Sequence, residues 1–168
     1  MTFEFSDGDG FISIVNADKY KGFVDNDWGL DQLFNHFVDQ MNDRNIIIWT
    51  SNEDGGNEWN IHISNRPSLN DEFRHFSFPI VVTNECLYLV PYDDLTMVAQ
   101  FESEVISAKY NSHLKIEMTN GSYNVTIRQM FDPKNFDYES DIIHFEMIFN
   151  SVNTIANQKA DKVFWWTE

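Results

Sequence analysis

The spacing of hydrophobic positions changes partway along the chain. Residues 28–41, WGLDQLFNHFVDQM, place Leu30, Leu33, Phe34, Phe37, Val38 and Met41 at intervals of three and four, the period of one helical face. This predicts the main helix. Asp27 is its candidate N-cap, Asp31 lies near the positive helix end, and Asn42, Asp43 and Asn45 close the run. Upstream, FISIV at 11–15 follows a Gly-rich turn and reads as a strand.

Beyond residue 45 the period becomes two. IIIWT at 46–50 reads as a buried strand, and NEDGGN at 52–57 is expected to turn it into EWNIHIS, where Trp59, Ile61 and Ile63 alternate with polar residues, giving a first hairpin. FRHFSFPIVV at 73–82 is extended, with Pro79 marking an edge or a bulge, and CLYLV at 86–90 follows an Asn84-Glu85 turn. HLKIEM at 113–118 and YNVTIRQMF at 123–131 flank Asn120-Gly121 and predict a second hairpin. IIHFEMIF at 142–149 and KVFWW at 162–166 add two strands, and SVNTIANQKAD between them has room for one short helix. The expected fold is mainly β (α+β): a β-sandwich of antiparallel sheets with eight to nine strands and one main helix at about 28–41, in a single domain over 1–168.

Composition supports a packed core. The chain of 168 residues is 42% hydrophobic and holds 15 Phe and 5 Trp, which separates it from charged, disordered sequences. The first residues, MTFEFSDGDG, have neither a basic segment nor an apolar stretch, so no secretory signal is expected there, and no window is long and apolar enough for a membrane helix. The single cysteine, Cys86, fits a reducing compartment and a cytoplasmic location, where the sequons at Asn120 and Asn124 carry no glycan.

Candidate chemistry is sparse. Asp7-Gly8-Asp9-Gly10 overlays the middle of an EF-hand loop, but Phe5 and Asn16 fall where the first ligand and the bidentate Glu belong. His36, His62, His75, His113 and His144 are scattered, and His62 with His75 and Glu58 reads more simply as polar pairing on a solvated sheet face than as a metal site. No nucleophile-elbow sequence places a Ser or Cys beside a His, and the Trp residues lie mostly in periodic core segments. No catalytic residue, metal or other cofactor is expected.

Charge is the distinctive feature. Eleven Lys and Arg face 27 Asp and Glu, a net charge of −16, where solubility alone asks for about 2–8. Such a surface disfavours nucleic acid and anionic membranes and favours a basic protein partner. Acidic clusters occur at Asp25 and Asp27 with Asp31, at Glu53, Asp54 and Glu58, at Asp71-Glu72, at Asp93, Asp94, Glu102 and Glu104, and at Asp137 to Asp141. The expected partner-binding residues are Asp93, Asp94, Glu102 and Glu104 beside Tyr92 and Phe101, then Glu53, Asp54 and Glu58 beside Trp59, because charges steer while aromatic anchors desolvate.

LYLVPYDDLTMVAQFE at 87–102, in which a strand runs into a Tyr-Asp-Leu-Thr-like turn, and NGSYNVTIRQMFDP at 120–133, a Gly-x-Tyr-x-Val-x-Ile-x-Gln strand ending at Asp-Pro, resemble segments of a family of small bacterial proteins. Its members are similar to immunity proteins of contact-dependent inhibition and related polymorphic toxin systems. The resemblance implies a cytoplasmic, non-enzymatic antidote to a single cognate toxin. Together with the charge, it makes a basic, nuclease-type toxin protein the expected partner. An enzyme or carbohydrate-binding β-sandwich using aromatics and carboxylates is the alternative.

Overall fold

The computed structural model describes residues 1–52, 55–106, 112–136 and 142–167, and in it the two kinds of hydrophobic run go to two different sheets. The continuous runs become β2 (Phe11–Val15), β3 (Ile46–Thr50) and β6 (Cys86–Pro91), which join the short β7 (Lys115–Glu117) in the order β3-β2-β6-β7. Every residue of β2 and β3 is buried, because this sheet has a layer on each side and its strands have no reason to alternate. The remaining strands are β1 (Thr2–Asp7), β4 (Asn57–Ser64), β5 (Arg74–Val82), β8 (Gly121–Gln129) and β9 (Phe145–Val152), in the order β1-β4-β9-β8-β5.

The five-stranded sheet packs its aromatics onto one side of the four-stranded sheet, where Trp49 meets Phe76 and Phe145 at ring distances of 6.2 Å. On the other side lie α1 (Leu30–Asn42), against β3, and α2 (Tyr92–Gln100), against β2 and β6. The result is an α+β sandwich, mainly β, with nine strands among the described residues. Pro79 sits on the edge strand β5, as a residue lacking an N–H requires.

Several local expectations are corrected. Neither predicted hairpin forms: β3 and β4 belong to different sheets, as do β7 and β8, so the chain passes from one sheet to the other between Thr50 and Asn57 and again at Asn120-Gly121. Period-two alternation specifies that a strand has one buried face and is silent on its neighbour. The sheets are not wholly antiparallel, since β4 and β9 run parallel. The thirteen-residue α1 begins after Gly29 rather than Asp27, with Gly29 N–H donating to Gln32 Oε1 at 3.4 Å.

Residues 162–166 form no strand. Phe164 makes one bridge to Trp49, and Trp165 then takes φ 61°, a left-handed value at which a strand cannot continue. No helix occupies 151–161, and β1, which the sequence did not announce, pairs with β4 over its whole length. The segment expected to turn after β6 instead continues directly into α2.

Candidate functional site

The second helix carries exposed apolar and acidic side chains together. Asp93, Met97 and Phe101 recur at every fourth residue and form one outward stripe, with Met97 49% and Phe101 43% exposed. Leu95, Val98 and Ala99 hold the opposite side against the sheet. Asp93 and Asp94 occupy the first turn, where the positive end of the helix favours them, and Glu102 and Glu104 follow its last turn beside exposed Val105.

Segment 23–25 lies along the same helix. Val24 N–H and Asp25 N–H both donate to Ala99 O, at 2.9 and 3.2 Å. The approach needs Gly22, where a Cβ would stand 2.7 Å from Val98 Cγ2. Exposed Phe23, Asp25 and Asp27 thereby join the face. No Lys or Arg occurs between Lys21 and Arg44 or between Arg74 and Lys109. Among the described residues, Asp25, Asp27, Asp93, Glu102 and Glu104 enter no ion pair.

The Asp7–Gly10 turn extends this face, and its geometry explains why those carboxylates are not a cation cage. Asp7 is buried at 2% exposure and its carboxylate is spent on protein donors: Oδ1 accepts from the amides of Asp9, Gly10 and Phe11, and Oδ2 from Ser51 Oγ and Trp59 Nε1. The turn so fixed touches both acidic regions singled out by the sequence. A Cβ on Gly8 would lie 3.6 Å from Asp93 Oδ2, and one on Gly10 would lie 3.4 Å from Gly55 Cα. Asp9 is the residue sequence reasoning missed as part of the face. Its contact with Asp93 joins residues half the chain length apart, and no local pattern signals it.

Asp9 hydrogen-bonds Asp93 and so holds the Asp93 carboxyl above the usual carboxylate range, with desolvation and the Asp9 charge adding to the effect. Burial, with the charges of Asp9 and Asp93, raises the neighbouring Tyr92 hydroxyl in the same way. In the pH window between the unfolded chain's value and this raised one, the native protein keeps a proton at Asp93 that the unfolded chain releases. Stability rises as pH falls through the raised value, and the pair is a cost at neutral pH. Asp93 is exposed, so the effect is screened and small. Asp93→Asn is expected to raise Tm by about 1–2 °C at pH 7 and to leave it unchanged near about pH 3, where the native acid is protonated as well. Melts at the two pH values check this, and a variant that melts lower at both would show that the pair is no source of repulsion.

The other expected site residues divide. Tyr92 is half-buried and stacks on Phe11 at 5.0 Å, so it supports the face from beneath. Glu58 is exposed at the start of β4, but Trp59 is 1% exposed, stacked on Phe131 at 5.1 Å and bonded to Asp7, and is therefore a core residue rather than a surface anchor. Glu53, Asp54 and the cluster at 137–141 lie outside the described residues.

A cleft of about 500 Å³ near Asp9 is lined by Phe73, Arg74, Trp165 and Trp166, yet the Arg74 guanidinium already lies 4.2 Å over the Trp165 ring. Trp166 meets Phe11 and Phe34 at 5.4 and 5.1 Å. These aromatics are engaged internally. Among the described residues no three His, Cys, Asp or Glu side chains gather as a metal site, and His62 and His75 stand on strands separated by β9 and β8. No helix among them is long and apolar enough to cross a membrane.

No known family profile matches the chain, and no curated protein matches its sequence. Two solved structures are similar to it in fold. One, described as crocagin biosynthetic gene J, aligns with a TM-score of 0.58 at 10% identity over 88% of this chain and 94% of that one. The other is ComJ of Bacillus subtilis, an inhibitor of the DNA-degrading activity of NucA, with a TM-score of 0.48 at 12% identity over 90% of this chain and 96% of that one. At such identities the first likeness is one of fold alone, and the second, below one half, adds nothing to it.

Proposed function

We propose that this protein is a non-enzymatic immunity protein that binds a basic, nuclease-type toxin domain in the cytoplasm and neutralises it by occlusion. The observation that carries the proposal is the α2 face. Asp25, Asp27, Asp93, Glu102 and Glu104, which enter no ion pair among the described residues, surround exposed Met97, Phe101, Val105 and Phe23, on a chain of net charge −16. A surface of that composition leaves its self-repulsion uncompensated until a cationic partner arrives, and its apolar stripe then supplies the desolvated centre that a specific interface needs. The partner-binding residues on this reading are Asp93, Asp94, Glu102, Glu104 and Phe101, to which we add Asp9, Asp25 and Phe23, with Tyr92 supporting them, and Glu58 contributes further negative charge.

Co-expression with the toxin domain encoded beside the gene tests the proposal. Cells carrying both are expected to survive, and the purified pair to associate at low ionic strength. Unprotected cells together with no association would refute it.

A further inference from the structure

A sheet edge offers unpaired backbone donors and acceptors, and most edges among the described residues are guarded. On β5, Pro79 lacks an N–H, Val81 N–H donates to Arg44 O at 3.1 Å, and Ser77 O accepts from Gln158 Nε2 at 2.9 Å. On β3, Thr50 N–H donates to Phe164 O and Phe164 N–H to Ile48 O, at 3.1 and 3.2 Å. The edge strand β7 is only three residues long. The exception is β1, six residues at the end of the five-stranded sheet with no proline, no glycine and an unbroken register against β4.

That register fixes which groups β1 offers. Met1 bonds Ile63 through both its nitrogen and its carbonyl, so alternation along the antiparallel ladder makes Phe3–Ile61 and Phe5–Trp59 bonded pairs as well. The pairs between them are not bonded. Asn60, opposite Glu4, turns its N–H to His144 Nδ1 and its carbonyl to His144 N–H, both at 2.9 Å and on the side away from β1. Thr2, Glu4 and Ser6 therefore point their N–H and C=O groups outward from the sheet, and these groups enter no hydrogen bond among the described residues. Their side chains are exposed, whereas Phe3 is half-buried and Phe5 is buried.

A strand laid along this edge meets two rows of side chains. On the inner side it extends the core at Phe3. On the outer side it meets Glu4 and Glu58, the latter opposite Ser6, both exposed and outside any ion pair among the described residues. No Lys or Arg precedes Lys19 or lies between Arg44 and Arg66, so neither β1 nor β4 carries a compensating cation. A second copy of the chain would set the same acidic edge against itself, with a net charge of −16 on each side. A basic strand relieves the repulsion.

We infer that β1 is an edge for strand addition, which accepts an extended segment of the protein partner in which Lys or Arg alternates with apolar residues. The strand runs through Asp7 into the turn carrying Asp9, so one partner can cover this edge and the α2 face together. The identity of that partner rests on the function proposed above, whereas the edge is tested without it.

The probe is a short peptide alternating Lys and Val, added to the full chain at low ionic strength and followed by amide NMR and hydrogen exchange. In the free protein the amides of Glu4 and Ser6 are expected to exchange fast and those of Phe3 and Phe5 slowly. Peptide at up to about 1 mM is expected to slow Glu4 and Ser6 at least about 10-fold, and a peptide alternating Glu and Val to bind at least about 10-fold more weakly. Glu4→Pro removes an outward N–H at an edge position that tolerates proline, and is expected to abolish binding while Tm holds; Glu4→Gln keeps that N–H and is expected to weaken binding only about 3-fold. If the Pro variant melts low, peptides N-methylated at alternate residues decide instead: methylation in one phase is expected to abolish binding and in the other to leave it unchanged. The inference is overturned if the Lys-Val peptide does not bind, if protection appears away from residues 2–6, if the Glu-Val peptide binds equally well, or if the chain dimerises through β1 by itself. Failure of the toxin to associate, with the peptide still bound at β1, would count against the proposed function and not against the edge.

Discussion

Replacing Asp7 with Ala is expected to cost about 3–5 kcal/mol of stability, among the largest losses for any single acidic residue here. The side chain accepts five hydrogen bonds, from the amides of Asp9, Gly10 and Phe11 at 3.0, 2.7 and 3.1 Å and from Ser51 Oγ and Trp59 Nε1 at 2.5 and 3.3 Å. Ser51 and Trp59 are essentially inaccessible to solvent, so their donors would be stranded rather than hydrated. Asp7→Asn keeps one accepting oxygen but turns an N–H toward the indole donor, and is expected to lose about half as much. Denaturant titration measures both, and for a chain of this length the Ala variant corresponds to a Tm lower by on the order of 10 °C. A loss under about 1 kcal/mol would mean that the 8–10 turn holds itself by its backbone alone. The same variant is expected to loosen Asp9 from Asp93 and so to weaken the docking face indirectly.

Neutralising Asp25, Asp27, Asp93, Glu102 and Glu104 together, as Asn and Gln, is expected to slow association with the toxin domain about 10–100-fold at low salt and to flatten the dependence of that rate on ionic strength. Dissociation should change little, because these carboxylates sit on the rim of the apolar stripe and steer more than they anchor. Phe101→Ala is expected to act oppositely, leaving association near native and speeding dissociation about 10-fold or more, since the ring is a large apolar group exposed on the face. Thermal stability of the multiply neutralised protein should hold or rise, because it removes repulsion without removing an ion pair. Surface-binding kinetics at two salt concentrations separate the two variants, and unchanged association after neutralisation would sink electrostatic steering as the mechanism.

What the sequence determined by itself is the local character of each segment. Intervals of three and four specified α1, because only a helix gathers Leu33, Phe37 and Met41 on one side, and all three are fully buried. Continuous runs marked the strands covered on both faces, and alternating runs those covered on one, since burial requires apolar side chains only where a layer lies. The net charge and the clustering of Asp93 and Asp94 with Glu102 and Glu104 were equally plain in the residues. The tertiary structure decided everything that depends on which segments meet. Strand partners were hidden because alternation carries no address, so both expected hairpins became crossings between sheets. The helical stripe at Asp93, Met97 and Phe101 was hidden because α2 is short and follows a strand without a break. Trp59 looked like a surface anchor beside Glu58 until β1 delivered Asp7 to its indole. Asp9 against Asp93 is a contact between residues far apart in the chain, and only folding brings their charges close enough to act.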